Sequence, residues 1–113
     1  MEKDIFCKII DGEIPSYKLY EDDVCLAFLD INPEANGHTL VIPKKHIESV
    51  FKAQESDFEV VSKIFSSIKK IAQQLDLEDG FRVVNNCGED GGQTVMHMHF
   101  HVLGKRRMGW PPG

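Results

Sequence analysis

Along residues 24–29, Val24, Leu26 and Phe28 alternate with Cys25, Ala27 and Leu29, so both faces of an extended segment would be apolar. Such a segment predicts an interior strand of a sheet, covered on both sides. The preceding run, Tyr17-Lys18-Leu19-Tyr20, reads as its hairpin partner across Glu21-Asp22-Asp23. Pro33 and the Asn36-Gly37 pair mark a loop, after which "HTLVIP" (38–43) is another short strand stopped by Pro43. From Ser56 onward the period changes. Phe58, Val61, Phe65, Ile68, Ala72 and Leu75 recur at intervals of three and four, which predicts a helix with one apolar face, opened by a Ser56–Glu59 capping box. Gly80 breaks it, and "FRVVNN" (81–86) and "HMHFHVL" (97–103) read as two further strands. A short helix is expected to begin near His46. Runs of strands around one long helix predict an α+β domain with a mostly antiparallel sheet, one face of which the long helix covers. The face or edge left uncovered predicts pairing with a second copy, hence a homodimer.

Composition narrows the partners. A chain of 113 residues with 42% hydrophobic and 27% charged positions fits one domain, 1–113, of an ordinary globular protein. No apolar run approaches the roughly 20 residues of a membrane span, and the start "MEKDIFCKIIDGEIP" lacks the apolar core of a secretory signal, so a cytoplasmic protein is expected. The net charge of −5 argues against a general affinity for nucleic acid or anionic membrane. Lys44-Lys45 and Lys105-Arg106-Arg107 are local basic patches flanking the histidine-bearing segments that could draw in a phosphate, though residue by residue each reads as a solvated loop end. Cys7, Cys25 and Cys87 contain no Cys-x-x-Cys pair and are expected as free thiols, mostly buried.

Three of the five histidines fall on alternate positions, His97, His99 and His101, and face the side opposite to the apolar Met98, Phe100 and Val102. The row can be an accident of a half-buried strand, a metal site or a nucleophile with its helpers. A metal must contend with spacing, since three alternate strand positions spread about 13 Å while each ligand must lie near 2 Å from the ion. A two-histidine site completed by His38 or Cys25 stays open. Nucleophilic attack at phosphorus needs only a neutral ring nitrogen and an anion cradle. The segment Gly88-Glu89-Asp90-Gly91-Gly92-Gln93-Thr94, after Asn85 and Asn86, supplies glycines that permit close backbone approach and side-chain donors at Gln93 and Thr94.

The pattern His-φ-His-φ-His-φ-φ, with φ apolar, resembles the signature of the histidine-triad superfamily. "IFCKIIDGEIPS", "CLAFLDINPEANGHTLVIPKKHI" and "GGQTVMHMHFHVLGKRRMGWPPG" extend the likeness over nearly the whole chain, toward the nucleotide-binding branch that hydrolyses purine nucleoside phosphoramidates. The resemblance implies five-stranded antiparallel sheets joined across a homodimer and a purine nucleotide, such as AMP or GMP, as product. It implies no metal and no cofactor. Asp30 would hold the ribose; Ile5, Phe6, Ile9, Ile31 and Leu40 would surround the base, unless they are simply core. Asn86, Gly92, Thr94, His99 and His101 would contact phosphate. His99 would be the nucleophile, its Nδ1 proton held by the His97 carbonyl or another backbone acceptor, with His101, His97 and His38 as candidates for proton transfer. Trp110 would lie near the partner subunit's site and shape the choice of leaving amine, while His46 would be structural or surface. Position 101 is His rather than the Gln of the nucleotidyl-transferase branch, which favours hydrolysis. Thr94 departs from the Ser of several relatives. A dinucleoside polyphosphate hydrolase, a non-catalytic nucleotide-binding scaffold and a zinc-dependent hydrolase are the alternative readings.

Overall fold

A computed structural model describes residues 3–30 and 38–113. Its elements are a short helix α1 (Ile5–Ile10), strands β1 (Lys18–Glu21), β2 (Cys25–Leu29) and β3 (Thr39–Pro43), helix α2 (Phe58–Gln74) and strands β4 (Arg82–Val84) and β5 (Phe100–Leu103). The five strands form one antiparallel sheet in the order β1-β2-β3-β5-β4. This is the α+β architecture that the periodicities predict, with β2 and β3 buried along almost their whole length.

Register distributes the side chains between two cores. Leu26 lies opposite Ile42 and Phe28 opposite Leu40, whereas Cys25, Ala27, Val41, Phe100 and Val102 face the other way. The second set meets Ile64, Ile68, Ile71 and Ala72 of α2, together with Met98 and Leu77. The helix therefore buries a face rotated from the predicted stripe. Phe58 and Phe65 are exposed, and Ile64 and Ile71, which that stripe omitted, are fully shielded. Phe65 touches the sheet only edge-on, against Phe100 at 5.6 Å between ring centroids.

The start of α2 also differs from expectation. A single 3₁₀ turn, Glu55–Asp57, precedes it, and the capping box is formed by Gln54 and Asp57 rather than by Ser56 and Glu59. Asp57 is buried, accepts from the Gln54 backbone N–H at 2.9 Å and pairs with Lys45 at 2.7 Å, so the salt bridge draws the cap two residues upstream. The short helix lies elsewhere too. Residues 44–50 are not helical, and the short helix is α1, capped by the Asp4 carboxylate accepting from Cys7 N–H at 2.7 Å.

That helix occupies the sheet face expected to be open. Phe6 and Ile9 pack onto Leu26, Phe28, Leu40 and Ile42, so the argument for a second copy on an uncovered face falls. What remain unpaired among the described residues are the two sheet edges, β1, hydrogen-bonded to β2 alone, and β4, hydrogen-bonded to β5 alone. No helix of the described residues is long and apolar enough to cross a membrane.

Candidate active site

β5 begins at Phe100, so the strict strand alternation expected for the histidine row holds only at its end. His101 lies on β5 opposite Leu40 of β3 and Val84 of β4, on the face that carries α1. His99 and His97 precede the strand, and their backbone is held by other means. Met98 N–H donates to the Ile47 carbonyl at 2.6 Å, and the Asn85 side-chain N–H donates to the His99 carbonyl at 2.8 Å.

The rings nevertheless assemble. His99 and His101 are 5.1 Å apart between centroids, His101 and His38 5.2 Å, and His97 and His46 5.1 Å. Phe6 fills the gap between the two groups, edge-on to His99 at 5.0 Å and to His97 at 5.8 Å. All five histidines of the chain thus form one cluster beneath α1.

Their bonds set their proton positions. His99 Nδ1 lies 2.7 Å from the His97 carbonyl oxygen, the acceptor expected for it. A carbonyl can only accept, so the proton is on Nδ1, and the neutral ring carries its lone pair on Nε2. Burial lowers the His99 pKa below the usual imidazole value, against the smaller opposing pull of that hydrogen bond, so the ring is neutral at pH 7. His101 is pushed down to about 4, by burial first and then by the charges of His99 and His38. Its Nδ1 is 3.0 Å from His38 Nε2, which also faces the Asp30 carboxylate at 3.6 Å. A proton on His38 Nε2 serves both acceptors. His101 then carries its own proton on Nε2, a buried nitrogen with no partner among the described residues.

His97 differs from the other two. It is fully shielded, its Nε2 lies 2.9 Å from the Pro43 carbonyl and its Nδ1 3.1 Å from the Asp4 carboxylate. Both nitrogens are engaged, leaving none to face a substrate; the row does not line a single cleft. His46, read from sequence as structural or surface, has Nε2 at 2.8 Å from the Met96 carbonyl and 3.1 Å from the same Asp4 carboxylate. Asp4 escaped sequence reasoning. Its only local signal is an acidic residue at the start of a short apolar run, a helix-cap pattern.

The glycine-rich turn lies between β4 and the histidines. Gly88 and Gly92 adopt φ of 75° and 81°, a left-handed conformation that side chains resist. At Gly91 a Cβ would collide with the Cys87 carbonyl oxygen. Thr94 and Gly92 are exposed and Asn86 is half-buried. Gln93 is placed otherwise than a phosphate ligand requires: it is buried, its Nε2 donates to the Glu48 and Val95 carbonyls at 2.7 and 3.0 Å, and its Oε1 accepts from Gly88 N–H at 2.9 Å. The amide is spent on holding the turn.

Of the residues expected around a base, Phe6, Ile9 and Leu40 are buried in the core under α1, Ile5 is exposed, and Ile31 lies outside the described residues. Trp110 is exposed, on a tail tied to β4 by Arg82 donating to the Gly109 carbonyl at 2.9 Å.

Two groups among the described residues bring metal-type donors within 4.8 Å of one another, Asp4 with Cys7 and His97, and Asp30 with His38 and His101. Cys25 joins neither: it is buried toward α2, 3.1 Å from the Ser67 hydroxyl. Cys7 is half-buried rather than core filler, 3.6 Å from His97 Nδ1, and its thiol pKa is pushed up by burial and by Asp4. The first group has the donor chemistry of a zinc site, with the thiol held in its protonated form.

A HIT domain profile matches residues 11–108. The chain belongs to the HIT family. It is 46% identical over 112 residues to a HIT-like protein of Synechocystis, covering 99% of this chain and 98% of that one. It is 50% identical to the 14 kDa zinc-binding protein of Zea mays, covering 96% and 87%. Among solved HIT structures, a HIT family hydrolase from Legionella pneumophila superposes with a TM-score of 0.93 at 48% identity, covering 96% and 98%. A histidine triad protein from Clostridium difficile superposes with 0.92 at 50%, covering 96% and 97%. These likenesses extend over sheet and helices alike, so the arrangement of β3, β5 and α1 around the histidines belongs to the HIT fold.

Proposed function

We propose that the protein is a hydrolase that cleaves the P–N bond of purine nucleoside phosphoramidates through a covalent nucleotidyl-histidine. The observation that carries this reading is the 2.7 Å approach of His99 Nδ1 to the His97 carbonyl, which leaves the lone pair of a neutral ring on Nε2. Kinship with HIT family hydrolases supports the reaction class. In the first step His99 Nε2 bonds to the α-phosphorus, the P–N bond to the amine breaks, and the departing nitrogen takes a proton from solvent water. In the second, water attacks the same phosphorus, the P–N bond to His99 breaks, and the nucleoside monophosphate leaves. In this reading the His101 Nε2–H, unpaired among the described residues, would donate to a phosphoryl oxygen, and the turn at Gly91 and Gly92, with Thr94, would offer further donors. Asp30, beside His38, is the residue we assign to the ribose hydroxyls.

The test is release of AMP from adenosine 5′-phosphoramidate by chelator-treated protein with its metal content measured. Turnover that survives chelation, an AMP adduct in intact-mass spectra of acid-quenched enzyme, and loss of both in His99→Ala are the expected results. Turnover restored only by zinc would replace the reading with a metal-dependent hydrolase, and tight AMP binding without turnover would replace it with a nucleotide-binding scaffold.

The same reading includes a homodimer joined along β4. Exposed Phe65 and Phe81 line an apolar groove with Ile68, Ala72, Leu77 and Val83 beside that unpaired edge. Trp110, on the tail tied to β4, would then lie across the joint toward the partner's site. Light scattering is expected to give twice the chain mass, and Phe65→Asp a monomer.

A further inference from the structure

The segment that carries His99 lies outside the strand ladder, because β5 starts one residue later. Regular sheet pairing therefore cannot orient the His97 carbonyl, and side chains from distant parts of the chain take over. His46 holds the Met96 carbonyl at 2.8 Å, and the Pro43 carbonyl holds His97 Nε2 at 2.9 Å. Asp4 joins them. One of its oxygens caps α1 through Cys7 N–H at 2.7 Å, while the other lies 3.1 Å from both His97 Nδ1 and His46 Nε2. The first turn of the same helix presents Phe6 to the His97 and His99 rings. A single carboxylate thus connects the N-terminal helix to the two rings that hold the backbone leading into the His97 carbonyl, His46 through the Met96 carbonyl and His97 through its own side chain.

We propose that Asp4 is a positioning residue for the nucleophile: through His97 and His46 it holds the carbonyl that keeps the His99 proton on Nδ1. It touches no substrate. Burial alone would raise the Asp4 carboxyl, but the Cys7 N–H and the charge of His97 hold it below the usual carboxylate value, in keeping with an ionised acceptor shared by two rings. Loosening that acceptor lets the His97 peptide turn, and a nucleophile misplaced by an ångström costs rate while leaving the nucleotide's own contacts in place. The inference rests on His99 being the nucleophile.

The test compares wild type, Asp4→Asn and Asp4→Ser, both of which keep a helix-capping oxygen, after chelation and metal assay. Wild type establishes the underlying reading by itself: no turnover, or turnover that survives His99→Ala, defeats the phosphoramidase and not the Asp4 link. Given an active wild type, the single-turnover rate of nucleotidyl transfer is expected to fall between roughly ten- and a hundredfold in both variants, with AMP affinity within about twofold. Nitrogen-15 spectra of labelled histidine give a readout free of substrate. His99 should show one tautomer in wild type and exchange between two in the variants. Unchanged rate and tautomer in a folded variant overturn the proposal. So does a parallel loss of AMP affinity, rate and thermal stability, which marks a merely structural cap, or a wild-type rate that chelation abolishes and zinc restores, which turns the histidine cluster into a metal site.

Discussion

His38 Nε2 stands 3.0 Å from Nδ1 of His101, and the opposite nitrogen of His101 is buried without a partner among the described residues. A buried donor left unpaired costs about 1–3 kcal/mol, so a ligand oxygen that reaches it recovers that cost. In His101→Ala the hydrolysis of adenosine 5′-phosphoramidate should fall by a factor on the order of 100, as for loss of one oxyanion donor. Steady-state kinetics with circular dichroism to confirm folding checks this; a drop under threefold would detach His101 from the phosphoryl group.

Activity should resist mild acid. The reactive form of His99 is neutral, and its pKa lies below the free-imidazole value near 6.5, as does that of His101 at about 4. The rate of nucleotidyl transfer is therefore expected to stay level from pH 8 down through 6.5 and to decline only below it. Stability follows the same sign. Both rings are depressed in the folded state, so their contribution is complete above the unfolded pKa and is lost as pH falls toward the folded values. Urea midpoints should be alike at pH 8 and 7 and lower at pH 5.

Gln93→Ala should act on stability before binding. Three hydrogen bonds join its amide to Gly88, Glu48 and Val95, and at about 1 kcal/mol net each the variant should lose roughly 2–3 kcal/mol in urea unfolding. The buried amide has no reach left for phosphate and acts only through the turn it holds, so AMP affinity measured by calorimetry under conditions where the variant is folded should fall less than in Gly91→Ala.

Gly91→Ala should do the reverse. The added carbon would collide with the Cys87 carbonyl, and that backbone atom cannot swing aside without reshaping the turn. The sheet and α2 lie outside the turn, so the fold should persist while AMP affinity falls at least about tenfold, the equivalent of 1.4 kcal/mol.

The sheet and its inward faces were readable from residue order. Cys25 and Ala27 do face α2 while Leu26 and Phe28 face α1, because a strand's side chains alternate whatever its neighbours are. Helix phase was less secure. Phe58 and Phe65 fit the same spacing as Ile64 and Ile71, and only packing against Val41 and Phe100 decided which set went inside. The capping box moved for a related reason, since Ser56 and Glu59 have the right spacing but Lys45 reaches Asp57.

At the site, the residue order determined that three histidines would stand together opposite an apolar row and that a glycine-rich turn would precede them. It could not say that His97 would be sealed in, that Gln93 would be spent on the backbone, or that His46 and Asp4 would complete the cluster. Those outcomes depend on contacts spanning 50 residues between His46 and Met96 and 93 between Asp4 and His97. Periodicity is a property of neighbouring residues, whereas a ring's proton is placed by whichever acceptor the folded chain brings to it.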